Sequence, residues 1–257
     1  MPVSAVGTIS GLYRYPVKGL TPERLQTVHV DRGATLPFDR AYAIENGPAK
    51  FDPAAPKYLP KVNFVMLMRN EQLASVRSYF DDTSHTLTLS KDGREIARGN
   101  LQDAGGRSRI EAVVADLAGP SLRGAPRIVA APGHSFSDVS AKCLHIVNLQ
   151  SVRALEAAMG VAINPLRFRP NVIVDEWPAW SEFDLLGESL QAGNAMLSVL
   201  KRTERCAATN VDPSSGVRDL KIPLFLSRTY GHSGFGVYAR VKSAGAIKTG
   251  DHIGPAG

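Results

Sequence analysis

The chain has 257 residues, 44% hydrophobic and 21% charged, a composition that favours one large folded unit or two packed units over disorder. Its net charge of +6 is spread along the sequence rather than gathered in one stripe, so we expect no nucleic-acid partner and a few bound anionic groups instead. No apolar run of about 18 to 20 residues and no secretory leader is found, which predicts a cytoplasmic protein with no membrane segment.

The first third of the chain alternates short apolar runs with turn residues. Several of these runs carry β-branched and aromatic residues between Gly, Pro and Asp, as is typical of short strands. They lie at residues 3–19, 25–33, 41–47 and 63–69. The spacing predicts a β-barrel or sandwich.

Two further segments in this part indicate local structure. Residues 86–99 alternate around Asp92-Gly93 and predict a hairpin. Residues 71–79 fit a helix or a strand, and their neighbours favour a strand.

Residues 107–117 have apolar side chains at helical spacing before Gly119-Pro120, which predicts a helix that closes the first unit. The segment 120–141 is rich in Pro, Gly, Ser and Ala and predicts a linker or a mobile flap.

The second half begins with a predicted strand and amphipathic helix over residues 142–160, ended by Gly160. Four strand-rich stretches joined by glycine-containing turns follow, at residues 171–176, 185–206, 235–243 and 245–254. We therefore predict a mostly β fold with a few helices (α+β), divided into residues 1–120 and 121–257.

The two cysteines differ in their surroundings. Cys206 follows a predicted strand, precedes a turn at Asp212 and lies beside Arg205, a neighbour that favours the reactive thiolate. Cys143 lies in an apolar run and is interpreted as a buried structural residue. We expect Asp212 to anchor the turn by capping the backbone that follows it rather than to act as an acid.

Common catalytic and nucleotide-binding patterns are missing. The six histidines show no zinc-protease spacing, and neither a phosphate-binding loop nor a dinucleotide fingerprint occurs. Phe235 replaces the final glycine that a nucleophile elbow requires. His134, Ser135 and Asp138 are adjacent in sequence and are interpreted as loop residues rather than as a triad.

Five separated strings nevertheless form a specific combination. They are YRYPVKG at 13–19, FDRAYAI at 38–44, FRPNVIVD at 168–175, RCAATNVDPSSG at 205–216 and FGVYARVKSAGAIKTGD at 235–251. In this order the sequence resembles the MOSC-domain proteins, in the form with an N-terminal β-barrel domain packed on the MOSC domain. The likeness spans nearly the whole chain and includes the amidoxime-reducing branch of that family.

The resemblance implies a molybdenum–molybdopterin cofactor and assigns site residues. Cys206 would supply a thiolate to the metal, and soft sulfur ligands suit such a centre. Lys18, Arg40 and Arg169 would hold the phosphate and pterin through charge-assisted hydrogen bonds. The remaining cofactor-binding candidates are Gly19, Asn171 and Arg205, with Asn148 and Ser151 at a predicted helix start.

Two positions depart from the family pattern. Gly19 stands where a serine is common, so a backbone N–H would replace a side-chain donor. Glu204 stands where the amidoxime-reducing branch has a small polar residue. A carboxylate there would reshape the substrate pocket or supply a proton.

The resemblance therefore predicts a molybdenum-dependent oxidoreductase that acts on small N-hydroxylated molecules. With only two cysteines and no dinucleotide fingerprint, it would take electrons from a separate reductase or carrier. Two alternatives stay open: a protein that carries sulfur or the molybdenum cofactor on Cys206, and a degenerate binding module.

Overall fold

A computed structural model describes residues 6–256; residues 1–5, where the first predicted strand starts, and Gly257 lie outside the described part. The described residues are mostly β with a few helices, as the sequence predicts. The strands are β1 (Gly7–Arg14), β2 (Glu23–Leu25), β3 (Thr27–Val30), β4 (Tyr42–Asn46), β5 (Arg77–Asp81), β6 (Thr86–Lys91), β7 (Arg94–Asn100), β8 (Pro126–Ala130), β9 (Leu144–Asn148), β10 (Val172–Asp175), β11 (Ser189–Ala192), β12 (Ala195–Glu204), β13 (Gly234–Ser243), β14 (Gly245–Lys248) and β15 (His252–Pro255). The α-helices are α1 (Ala104–Ala118), α2 (Leu149–Met159) and α3 (Ile222–Tyr230).

Seven strands form a closed β-barrel in the order β10-β9-β13-β12-β11-β15-β1, and pairing of β1 with β10 closes the ring. The pair β9–β10 is parallel and is connected through α2, whereas the other barrel pairs are antiparallel. Inward side chains such as Leu12, Leu144, Leu197 and Val237 are fully buried. Closure removes the exposed sheet edges that would otherwise invite aggregation.

Strands from the start of the chain pair with strands from its second half. Strand β1 pairs with β15 and β10, and β3 pairs with β14. Strand β8, which follows residue 120, pairs with β4, which precedes it. The division of the chain at residue 120 stays a prediction, and several strand pairs join the two parts.

A second core lies in the first half of the chain. The sheet β5-β6-β7, the pair β4–β8 and helix α1 surround buried residues that include Ile44, Phe80, Ile110 and Val114. Helix α1 begins close to the sheet, since an added Cβ at Gly106 would lie 2.0 Å from the carbonyl oxygen of Asn100.

Several local predictions are confirmed. The hairpin turns at Asp92-Gly93, where both residues have positive φ as a type I′ turn requires. Helix α1 covers the predicted 107–117, and α2 ends at Gly160 in the left-handed conformation.

Other local predictions are wrong. Residues 63–69 contain one isolated bridge, Phe64 with Glu45, rather than a strand, and 71–75 form a 3-10 helix before β5. The segment 120–141 contains strand β8, so it is not wholly a linker. Helix α3 was not expected, because its nine residues with an early proline give only a short periodic signal.

No helix within residues 6–256 is long and apolar enough to cross a membrane.

Candidate functional site

A cavity of about 520 Å³ lies where the end of β12 meets the first half of the chain. Its lining is strongly cationic, since eight Lys and Arg side chains face it and only two acidic ones, Asp138 and Glu204. Such a lining favours an anionic ligand. The basic residues are Lys18, Arg40, Lys61, Arg167, Arg169, Lys201, Arg202 and Arg205.

Tyr15 organises two of the cations that the sequence predicted. Its fully buried ring lies 4.5 Å from the Arg40 guanidinium carbon and 4.1 Å from that of Arg169, measured to the ring centroid. These are cation–π contacts, which are stronger where water is excluded. Burial, together with repulsion from Arg40, lowers the pKa of Arg169 to about 10, so the group remains cationic at neutral pH.

The backbone at both arginines is unusual. Arg40 has φ 52° and Arg169 has φ 53°, in the left-handed region that side-chain-bearing residues seldom adopt. Arg40 is fixed by the buried Asp39 carboxylate and by the carbonyl of Arg169, whereas Arg169 donates to the carbonyl of Leu20 at 2.9 Å. The fold thus holds two guanidinium groups at one wall of the cavity in a strained but well-braced conformation.

Asn171 supports this wall. Its side-chain oxygen accepts from the backbone N–H of His145 at 3.0 Å, and its amide donates to the carbonyl of Tyr13 at 3.1 Å. It therefore fastens β9 to β1 beneath the arginines. The residue lines the cavity, but its amide is largely engaged in this structural role.

Lys18 and Gly19 also line the cavity. The Lys18 ammonium is buried, pairs with Asp138 and donates to the carbonyl of Phe136 at 2.8 Å. Burial lowers the pKa of Lys18, while Asp138 opposes that shift. Gly19 has φ 88°, and an added Cβ would lie 2.9 Å from the Val65 carbonyl oxygen. The glycine at this position is therefore required by the local path of the chain.

Cys206 lies just beyond β12 and is partly exposed to the cavity. Its carbonyl accepts from the backbone N–H of Thr209 at 3.0 Å and so fixes the start of a short 3-10 turn. Arg205 donates to the Phe168 carbonyl at 2.8 Å and lies near His145, whose pKa is well lowered by burial and then by the Arg205 charge. A neutral imidazole and a cation thus flank the thiol-bearing loop.

Arg167 braces that loop from below, a role that the sequence analysis missed. It is buried and bonds Asp219 at 2.8 and 2.6 Å and Asp212 at 3.2 Å. Asp212 in turn accepts from the backbone N–H groups of Ser214 and Ser215. The predicted turn-anchoring role of Asp212 is confirmed, and the brace holds the segment that carries Cys206.

Two predicted cofactor contacts, Asn148 and Ser151, are not among the residues that line the cavity. Both side chains are fully buried and donate to the Glu182 carboxylate, at 3.0 and 2.8 Å. Asn148 also caps α2 by accepting from the Gln150 N–H. This part of the prediction needs correction, because the donors at the helix start are already taken by the buried Glu182 carboxyl group, where a ligand phosphate was expected.

Further residues of the site escaped the sequence analysis. His145, Lys201 and Tyr238 line the cavity, and Tyr15 contacts the lining residues Arg40 and Arg169. Tyr15 and Tyr238 lie inside the quoted strings YRYPVKG and FGVYARVKSAGAIKTGD, which were the available signals. Cys143 is buried, as expected, and precedes β9, but it also borders the cavity; burial raises the pKa of its thiol to about 11.

Within residues 6–256 no cluster of three or more His, Cys, Asp or Glu side chains could hold a metal ion. A metal at Cys206 would therefore need most of its ligands from another molecule.

Comparison with known proteins identifies two domains by family models. The MOSC N-terminal beta barrel domain matches residues 6–123, and the MOSC domain matches residues 131–254.

Among curated proteins, the chain is 31% identical over 120 residues to mitochondrial amidoxime reducing component 2 of Bos taurus, covering 42% of this chain and 35% of that protein. It is 28% identical over 131 residues to mitochondrial amidoxime-reducing component 1 of Homo sapiens, covering 46% and 38%. The chain thus matches little more than a third of the length of these relatives.

Among solved structures, the YUAD protein from Bacillus subtilis is 14% identical with a TM-score of 0.44, over 96% of this chain and 94% of that one. YiiM from Geobacillus stearothermophilus is 18% identical with a TM-score of 0.36, over 44% and 54%.

Proposed function

This chain belongs to the MOSC proteins, with a MOSC N-terminal beta barrel domain before the MOSC domain, and on that premise we propose that it is a molybdenum cofactor-dependent oxidoreductase. Its substrates would be small N-hydroxylated molecules, and its electrons would come from a separate carrier or reductase. The observation that carries the proposal is the convergence of Lys18, Arg40, Arg169 and Cys206 on one cationic cavity.

The basic wall suits a phosphate-bearing pterin. Arg40 and Arg169 present planar donor groups, which match phosphate oxygens, and Lys18 adds a buried point charge. These three residues come from separate stretches of the chain, so their convergence is a property of the fold. Asp138, which pairs with Lys18, would have to share or release that ammonium when an anion binds.

The thiol side suits the metal end of such a cofactor. Cys206 offers a soft sulfur ligand at the cavity wall, and the Arg205 cation lies beside it. When bound, the cofactor would supply a metal centre that changes oxidation state by two electrons. The chain's own part is to hold that group, to orient it through the braced loop 206–219, and to exclude water.

Glu204 gives the substrate side a distinct feature. Its carboxylate lines the cavity and accepts a hydrogen bond from the Ser233 hydroxyl. A carboxylate at this rim would select against anionic substrates and would favour neutral or cationic N-hydroxylated compounds. The amidoxime-reducing names of the relatives support the same substrate class.

The electron source and the compartment remain part of the proposal. The described residues supply neither a four-cysteine cluster site nor a dinucleotide fingerprint, which supports an external donor. We retain the prediction of a cytoplasmic protein from the sequence, although the curated relatives are named mitochondrial.

The test is an assay of protein produced in a host that makes the molybdenum cofactor. Benzamidoxime is supplied with either a reduced viologen or NADH alone. We expect reduction to benzamidine only with the viologen, because no site for direct hydride delivery is predicted. Efficient turnover with NADH alone in reductase-free protein would overturn the external donor, and no turnover with either reductant in molybdenum-loaded protein would overturn the substrate class.

A further inference from the structure

A second cavity, of about 650 Å³, is lined by Phe38 and Asp39, the neighbours in sequence of Arg40, which lines the candidate cofactor site. It is lined by the strand pair β4–β8, the start of α1 and the loop that follows β8. Its volume is within the range of small-molecule sites. Of the predicted cofactor residues, none lines it.

The wall of this cavity is aromatic. Phe38 and His85 meet edge to face with ring centroids 5.5 Å apart, and the Tyr42 hydroxyl is 2.9 Å from His85 Nδ1. Phe38 has φ 60° and His85 has φ 53°, so both aromatic residues are held in the sparsely populated left-handed region. Strain of this kind concentrates at ligand-binding positions. His134 lines the same cavity.

Two cations on this cavity are not neutralised. Arg107 and Lys142 have no carboxylate within 4.0 Å among the described residues, and Arg107 donates only to the carbonyl oxygens of Leu101 and Gln102. Two acidic residues line this cavity. Asp39 pairs with Arg40, and the exposed Asp31 side chain lies near His29.

Both cations lie close to the aromatic groups. Burial raises the pKa of Tyr42, and the Arg107 charge opposes that shift. Burial lowers the pKa of His134, and the Lys142 charge lowers it further. The cavity therefore combines aromatic rings with two positive charges that no carboxylate among the described residues neutralises.

We propose that this second cavity binds a small planar aromatic molecule that carries one carboxylate. The ring would pack against Phe38 and His85, as aromatic pairs do, and the carboxylate would accept from Arg107 and Lys142. This inference does not depend on the oxidoreductase proposed above, because the two cavities share no proposed ligand contact.

The test follows the imidazole Cε1–H signals of the histidines by NMR during titration with benzoate. We expect saturable shifts of His85 and His134, with His252 unchanged. Benzamide, which lacks the charge, and cyclohexanecarboxylate, which lacks the aromatic ring, should each bind at least about fivefold more weakly. Equal shifts with benzamide, no saturable shift, or a response confined to His145 at the first cavity would overturn the proposal.

Two variants check the anchor. Arg107→Gln and Lys142→Gln should each weaken benzoate binding by about three- to fivefold. The matched control is Arg109→Gln, on the same helix, whose side chain donates to the Arg98 carbonyl and does not line the cavity. Unchanged affinity in both anchor variants would also contradict the site.

Discussion

The guanidinium of Arg169 lies against the ring of Tyr15, 4.1 Å from its centroid, although the two residues belong to opposite halves of the chain. Arg40 contacts the same ring. Tyr15 therefore sets the position of both cations that would hold an anionic cofactor, and it links β1 of the barrel to the cavity wall.

Replacing Tyr15 tests this arrangement. We expect Tyr15→Leu to lower the free energy of unfolding by about 2 to 4 kcal/mol, through the loss of buried ring volume, and to lower cofactor occupancy because Arg40 and Arg169 lose their support. Tyr15→Phe is the control, since the hydroxyl has no hydrogen-bond partner among the described residues. Urea unfolding and molybdenum content per chain measure the two effects. Equal occupancy in Tyr15→Leu and Tyr15→Phe would refute the positioning role.

The two arginines can also be removed directly. Arg40→Ala or Arg169→Ala should reduce cofactor occupancy, each charge-assisted contact contributing about 1.5 to 3 kcal/mol. Arg240→Ala, an exposed arginine outside the cavity, serves as the control. Molybdenum and pterin are measured on purified protein. If both variants retain the wild-type occupancy, these residues do not hold the phosphate.

Gly19 offers a test of backbone geometry. Gly19→Ser places a Cβ 2.9 Å from the Val65 carbonyl oxygen at φ 88°, and we expect a loss of about 2 to 3 kcal/mol in unfolding free energy. Gly33→Ser, at φ 70° with nothing within 4 Å, should cost only about 1 kcal/mol. Chemical denaturation compares the two. A serine at position 19 that is as well tolerated as one at position 33 would show that the close approach is not restrictive.

Glu182 makes stability depend on pH. Burial raises its pKa, despite hydrogen bonds from Ser151 and Asn148. Because the folded pKa exceeds the unfolded one, its contribution to stability is fully present below the unfolded pKa and is lost as pH rises through the folded pKa.

Glu182→Gln removes this titration, so the variant should gain stability relative to wild type between pH 5 and pH 8. Glu188→Gln, at an exposed position, should show no such change. Urea unfolding at both pH values provides the measurement. A wild-type advantage that grows with pH would mean that Glu182 is stabilised as the anion.

The accuracy of the sequence predictions depended on how local the determining interactions are. Asp92-Gly93 specifies its own turn, and α2 carries its cap and its ending glycine within one stretch, so both were predictable. Residues 63–69 are apolar enough for a strand, but their partners are distant in sequence, and only Phe64 forms a bridge.

The candidate site shows the same limit. Lys18, Arg40, Arg169 and Cys206 were identified through family strings, whereas their convergence required the fold. Asn148 and Ser151 were assigned to a ligand phosphate, but their acceptor is the buried Glu182 carboxyl group, and no local pattern connects that residue to the start of α2. Tyr15 was overlooked because an aromatic residue in a strand is ordinarily part of the core.

The most direct test of the central claim is the molybdenum-dependent reduction of benzamidoxime by reduced viologen, compared among wild type, Cys206→Ser and Cys143→Ser. Circular dichroism checks that each variant is folded. We expect about one molybdenum with its pterin per wild-type chain, activity retained in Cys143→Ser, and nearly complete loss in Cys206→Ser, because a hydroxyl is a poor replacement for a soft thiolate. Equal molybdenum-dependent activity in wild type and Cys206→Ser would contradict the assignment of Cys206 as the metal ligand.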